Sequence, residues 1–313
     1  MRLYDVVAEY VAYKRALGHS FNTEAIILGS FCRHVGDVPL IAVIADQVRT
    51  YLDGNTPVSS YWRRKYTALA GFYRFALSRG YASAFPLPCH PPRFPPPLVP
   101  YIYSQAELKR LLDATPGACG RQVPLEAYVF RMLILLLYGA CLRLGEALCL
   151  TIHDVDLDQA VLCIRETKFY KTRLVPLGQD LSRVLNQYVQ RRNITHSQES
   201  SAPFFCFRDG RPLSQSAVRS AFRRLRAQAC VKRDDGARYQ PRLHDLRHTG
   251  VVHRLVAWYR SGADLQHLLP QLATYLGHID LGATQRYLTL TPELLREASI
   301  RFEHYVKETD HHD

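Results

Sequence analysis

Along the first 84 residues, apolar side chains return every three or four positions, the period that lines one face of an α-helix. A glycine closes each run. "LYDVVAEYVAYKRALG" stops at Gly18, "SFNTEAIILGSFCRHVG" at Gly36, and a third run around "IADQVRTYLDG" at Gly54. A fourth, "SSYWRRKYTALAGFYRFALSRG", begins on a serine cap and interleaves Arg63, Arg64, Lys65, Arg74 and Arg79 with Trp62, Tyr66, Phe72, Tyr73 and Phe75. The pattern predicts a helical bundle over residues 1–84. Its basic and aromatic helix suits either a solvated face over an aromatic core or contact with a DNA backbone.

Residues 85–101 interrupt the periodicity with "PLPCHPPRFPPPLVP". Proline lacks the amide donor and fixes its own φ, so this stretch is expected to be an extended, stiff linker between two domains. The second domain, 102–313, opens on "SQAELKRLLDA", where Ser104 and Glu107 have capping-box spacing. A long helical stretch, "LEAYVFRMLILLLYGACLRLGEALCL", follows. The period then drops to two in "AVLCIRETKFYKTRLVPL", which predicts a β-hairpin turning near Lys168 to Lys171. Helices return in "LGQDLSRVLNQYVQRR" and in "LSQSAVRSAFRRLRAQA", which carries Arg219, Arg223, Arg224 and Arg226. The fold expected is mainly α with a small β-hairpin or sheet, in two domains.

Composition adds a partner class. The 313 residues carry a formal net charge of +12, which favours a polyanion. The eight cysteines are scattered without a C-x-x-C pair, as expected of free thiols in a reducing cytoplasm rather than of a zinc site or a disulfide frame. The N-terminus shows no secretory signal pattern, and the apolar run "MLILLLYGACL" is too short to span a bilayer. No paired-carboxylate cluster of the two-metal kind is found, and no cofactor or metal is expected.

The chemistry concentrates between His244 and Tyr287. In "LHDLRHTGVVHRL", His244, Arg247 and His248 fall on one helical face, a cluster suited to a phosphate. In "LATYLGHIDLGATQRYL" an apolar helix stops at Gly277 and His278, and a short segment then presents Tyr287. Upstream, Arg143 precedes Glu146 by three residues, and taken alone it can simply pair with it.

The motifs "HDLRHT" and "LGH", the His-to-Tyr spacing, "YGACLRLGEALCLTIHDVDL" and the hairpin together resemble the tyrosine recombinase (integrase) family, which includes phage integrases and Xer-type recombinases. The interval between the two histidine motifs is longer than the family's common pattern. The resemblance implies the catalytic set Arg143, Lys168, His244, Arg247, His278 and Tyr287, with Lys171 as a second candidate for the lysine. It implies an N-terminal core-binding domain, double-stranded DNA as partner, a homotetramer on DNA, and a terminal helix from "LTPELLREASIRFEHYVKE" lent to a neighbouring subunit. In the chemistry it implies, Arg143 and Arg247 hold the phosphate, Tyr287 attacks phosphorus to give a 3'-phosphotyrosine, and His244 is base or orienting group. Lys168 protonates the departing 5' oxygen and His278 supports the transition state. A type IB topoisomerase or a catalytically silent DNA-binding protein are the alternatives. A metal phosphohydrolase on His244 and Asp245 lacks its other ligands.

Overall fold

The computed structural model describes residues 1–54, 58–94, 98–119, 124–165, 172–278, 280–289 and 294–300. The chain divides into two compact units, Met1–Leu98 and Val99–Asp313.

In the first unit, α1 (Leu3–Ala16), α2 (Asn22–Val35), α3 (Ala45–Asp53) and α4 (Ser60–Ser78) enclose a core that includes Leu3, Val6, Leu28, Phe31, Leu69 and Phe72. The Ser59 hydroxyl accepts from Trp62 N and starts α4. The mixed composition of α4 resolves into two faces: Trp62, Phe72, Tyr73 and Phe75 are buried, while Arg63, Arg64, Arg74 and Arg79 are exposed. The proline-rich stretch is anchored over its first part. Leu87 joins the core, the Tyr66 hydroxyl donates to Pro88 O at 3.2 Å, and Phe94 packs on Trp62. Proline excludes a ladder or a helix there, but it leaves apolar side chains free to pack.

The second unit begins with α5 (Gln105–Asp113), whose capping box is formed: Glu107 N donates to Ser104 Oγ at 3.2 Å and Ser104 N to Glu107 Oε2 at 2.9 Å. After α6 (Thr115–Ala118) comes the central helix α7 (Ala127–Gly139), with Val129, Phe130, Leu133 and Leu136 fully buried. The long helix expected here is broken. Cys141 takes a left-handed backbone conformation (φ 52°), the chain runs through Arg143 in an extended conformation, and a short α8 (Leu144–Leu148) follows. Nothing in the apolar spacing marks the break, because Leu142 and Leu144 are buried on either side of it.

Three antiparallel strands, β1 (Val155–Asp156), β2 (Val161–Ile164) and β3 (Arg173–Pro176), lie in the order β1-β2-β3 with Leu162 opposite Val175. The hairpin arms are therefore as the alternation predicts. Its turn, with Lys168 and Lys171, lies outside the described residues.

Next come α9 (Gln179–Thr195), α10 (Gln215–Gln228), α11 (Asp245–Arg260), α12 (Leu265–Leu276), α13 (Gly282–Gln285) and a 3-10 turn over Arg286–Thr289. The long interval between the histidine motifs is filled by the end of α11, a turn at Gly262 (φ 70°), and an α12 capped by the Asp264 carboxylate. Gly250 lets α11 approach α7: a Cβ there would lie 2.1 Å from Tyr138 O. Residues 294–300 are helical. Leu294 is buried with Val251, Leu255, Leu276 and Tyr287, and Glu297 accepts from Arg260 at 2.9 Å, so this segment lies on its own unit. Among the described residues, no helix is long and apolar enough to cross a membrane.

Candidate active site

The break after α7 and the starts and ends of α8, α11 and α12 converge on one carboxylate. Glu146, on α8, accepts from Arg143 N at 2.9 Å and Arg143 Nη1 at 2.6 Å. It also accepts from Arg173 Nη1 and Nη2 at 3.1 and 2.8 Å, and Arg247 Nη1 stands 3.7 Å away. Burial alone would raise the Glu146 pKa. The hydrogen bonds and charges of Arg173 and Arg143 outweigh it and hold the carboxyl at about 2. One anion thus keeps three guanidiniums together.

Backbone carbonyls aim the guanidiniums. Arg247 is only 2% exposed and donates through Nη1 to Cys141 O and through Nη2 to Leu276 O, both at 2.6 Å. The Cys141 carbonyl faces Arg247 because the chain reverses there, so the break in the long helix is what builds the site. Arg143 Nη2 donates to Gly277 O at 3.2 Å, and Arg173 Nε donates to Tyr275 O at 3.0 Å. Gly277 is left-handed (φ 65°), and a Cβ on it would meet Arg173 Nη1 at 2.8 Å. A side chain there is excluded by both the backbone and the packing. The Arg143 side chain remains 38% exposed, so it can still meet a ligand from solvent.

Tyr287, on the 3-10 turn, is 4% exposed. Its hydroxyl lies 2.9 Å from His248 Nδ1, and its ring stacks on His278 at 6.2 Å with an interplanar angle of 5°. Burial raises the phenol's pKa above its ordinary value, and Arg247, by charge and hydrogen bond, offsets only part of that rise. His278 Nδ1 lies 2.7 Å from the hydroxyl of the fully buried Thr284, and its Nε2 lies 3.4 Å from Arg247 Nη2. Burial and the neighbouring Arg247 push His278 down to about 4; burial and His244 do the same for His248. Both rings are neutral near pH 7.

Of the six residues marked in the sequence, Arg143, His244, Arg247, His278 and Tyr287 come together, and Lys168 lies outside the described residues. His244 is exposed just before α11 and its ring packs edge-on against His248 at 4.8 Å; it is His248 that reaches the Tyr287 oxygen. Sequence spacing put His248 on the right face but could not say which imidazole meets the phenol. Arg173 and Thr284 are further parts of the site that the sequence left without a role, since each acts through a partner distant in sequence or on an adjoining turn. Among the described residues, no three His, Cys, Asp or Glu side chains converge as metal ligands.

This arrangement offers two guanidiniums and two neutral imidazoles around a buried phenol, the donors and acceptor that a phosphoryl group under attack requires. Comparison with known proteins gives the family. Residues 103–293 match the Phage integrase family. The putative integrase/recombinase y4rB of Sinorhizobium fredii is 36% identical over 308 residues, covering 96% of each chain. Tyrosine recombinase XerD of Corynebacterium glutamicum is 30% identical over 80% of this chain and 77% of its own. In fold, the chain is similar to lambda integrase in a tetramer bound to a Holliday junction, with TM-score 0.66 and 14% identity over 92% of this chain and 77% of that one. A family match over most of the second unit, and alignment to relatives across both units, establish that the chain belongs to the phage integrase family of tyrosine recombinases.

Proposed function

We propose that this tyrosine recombinase cuts and rejoins double-stranded DNA at specific sites through a covalent 3'-phosphotyrosine on Tyr287. The observation that carries the reading is the Tyr287 hydroxyl seated beside His248, Arg247 and His278, with Arg143 tied to Arg247 through their shared Glu146.

In this reading Arg143 and Arg247 hold the non-bridging oxygens of the scissile phosphate. Guanidinium is planar and permanently charged, so it stabilises the added negative charge of a pentacovalent phosphorus without a proton being transferred. His278, fixed by Thr284, adds a hydrogen bond to the same oxygens. His244, exposed at the start of α11, faces the approaching phosphate. Lys168 gives its proton to the departing 5' oxygen. Because the phosphotyrosine conserves the bond, a second strand's 5' hydroxyl can reverse the step without ATP, and strands are exchanged. In this reading the positive charge comes from the two guanidiniums and the lysine rather than from a metal. The working assembly is a homotetramer on DNA, the state in which lambda integrase is bound to its Holliday junction. The exposed basic face of α4 supplies phosphate contacts from the first unit.

The test is incubation with fragments of the DNA that flanks its own gene, followed by denaturation and a search for protein-linked DNA ends. The parent chain is expected to give an adduct on Tyr287, and Tyr287→Phe to bind DNA as the parent does while giving none. An adduct that survives in the Phe variant would place the nucleophile elsewhere.

A further inference from the structure

We infer that His248, not His244, is the general base that takes the proton of Tyr287 when the nucleophile attacks. The inference rests on the reading of Tyr287 as nucleophile and assigns that site's proton acceptor. Its first ground is distance. His248 Nδ1 lies 2.9 Å from the Tyr287 oxygen, within direct proton-transfer range, and His244 touches the phenol only by way of His248, ring to ring at 4.8 Å.

The second ground is where each ring sits. His244 and His248 are four residues apart on the same face, at and just inside the N-terminus of α11. His244 is on the exposed side, where an incoming phosphate arrives; His248 is half-buried, between the helix and the 3-10 turn that carries Tyr287. The surroundings then set the protonation state. Around His248 stand His244, Arg242 and Arg247, which disfavour an added proton, and Asp245, which favours one. The free imidazole is therefore neutral, with Nδ1 available as acceptor when the ring proton is on Nε2, and Asp245 is at hand to stabilise the imidazolium once it forms.

The step balances. The Tyr287 O–H bond breaks and its proton passes to His248 Nδ1 as the Oη–P bond forms; the P–O5' bond breaks and the 5' oxygen takes a proton from Lys168. In rejoining, the 5' hydroxyl returns its proton to Lys168 and the imidazolium returns its own to the tyrosine oxygen.

The experiment separates a base from a prop by using His248→Asn, whose amide can reproduce the hydrogen bond at Nδ1 but cannot take the proton. The adduct assay uses the same flanking fragments. A base predicts parent-like unfolding temperature and DNA affinity for His248→Asn, with adduct formation slower by about 100-fold or more. Adduct formation within about fivefold of the parent, or a much larger loss in His244→Asn than in His248→Asn, would overturn the assignment. A second measurement needs no DNA: thermal unfolding of His248→Leu, Tyr287→Phe and the double variant. Loss of one shared hydrogen bond should make the double variant's drop smaller than the sum by about 2–4 °C. Strict additivity would also overturn it. If the parent itself forms no adduct while the coupling is present, it is the proposed function that fails and not the pairing of these two side chains.

Discussion

Glu146 is the position where a single atom-for-atom change should do the most damage. In Glu146→Gln the side chain keeps its shape, and its amide oxygen can still accept from Arg143 N, but the charge that three guanidiniums share is gone. Two of them have no recourse to solvent, because the Arg173 side chain is 9% exposed and that of Arg247 is 2% exposed. Removing one partner of a buried ion pair costs about 3–5 kcal/mol, because the charges left behind are neither paired nor solvated. For a unit the size of Val99–Asp313, each kcal/mol lowers the unfolding temperature by roughly 2–4 °C, so a drop on the order of 6–20 °C is expected by calorimetry. Three uncompensated guanidiniums should then recruit an anion. Millimolar sulfate is expected to restore much of the loss in the variant and to move the parent far less, while chloride of equal ionic strength does neither. An unfolding temperature within about 2 °C of the parent, or identical sulfate responses in both chains, would refute the view of Glu146 as the shared counter-ion.

Three further outcomes follow from the same geometry. Gly250→Ala would place a Cβ 2.1 Å from Tyr138 O and 2.8 Å from Cys141 Sγ, so α11 must shift; a loss of about 1–3 kcal/mol in denaturant unfolding and a larger proportional loss of adduct formation are expected, since Arg247 rides on α11. Acid should act through Glu146: its pKa is lower in the folded chain than in the unfolded one, so its contribution, about 3 kcal/mol, is present above pH 4.5 and lost as pH falls toward about 2, and Glu146→Gln should flatten that part of the stability profile. DNA affinity should fall on the order of 10³-fold between 50 and 200 mM salt, and replacing the exposed Arg63, Arg64 and Arg74 of α4 with Gln should make the salt dependence shallower in a filter-binding titration.

What the sequence made legible was periodic or punctuated. The four helices of the first unit, the capping box at Ser104, the hairpin arms and the stop at Gly277 all follow from local spacing, and local spacing survives folding because the backbone hydrogen bonds it organises are local. The helix break at Cys141 was not legible. Its cause is tertiary: the left-handed Cys141 lets its carbonyl meet Arg247, 106 residues later, and no run of proline or glycine announces that. Which of two histidines four residues apart meets the phenol was not legible for a related reason. Helical phase says which face a side chain is on, and only the path of the 3-10 turn says which of them meets Tyr287.

The carbonyls that hold the guanidiniums bear on how the site turns over. Arg247 is tied at one end to the loop after α7 and at the other to the last turn of α12, and Arg143 and Arg173 are also tied to that turn, at Gly277 and Tyr275. These are strong, charge-assisted bonds between rigid elements, so the guanidiniums proposed to bind phosphate are held in place without a ligand and would lose little entropy on binding one. The proposed nucleophile is mounted differently. Tyr287 sits on a turn of four residues, where its hydroxyl meets His248, its ring stacks on His278 and its side chain is buried with Val251, Leu255, Leu276 and Leu294. That hydrogen bond is worth about 1 kcal/mol and burial of the ring adds roughly 1.5–3 kcal/mol, so the turn is held by packing more than by charge. If Tyr287 is the nucleophile, its position therefore depends on the packing of this turn, whereas that of the guanidiniums depends on ties to two separate elements.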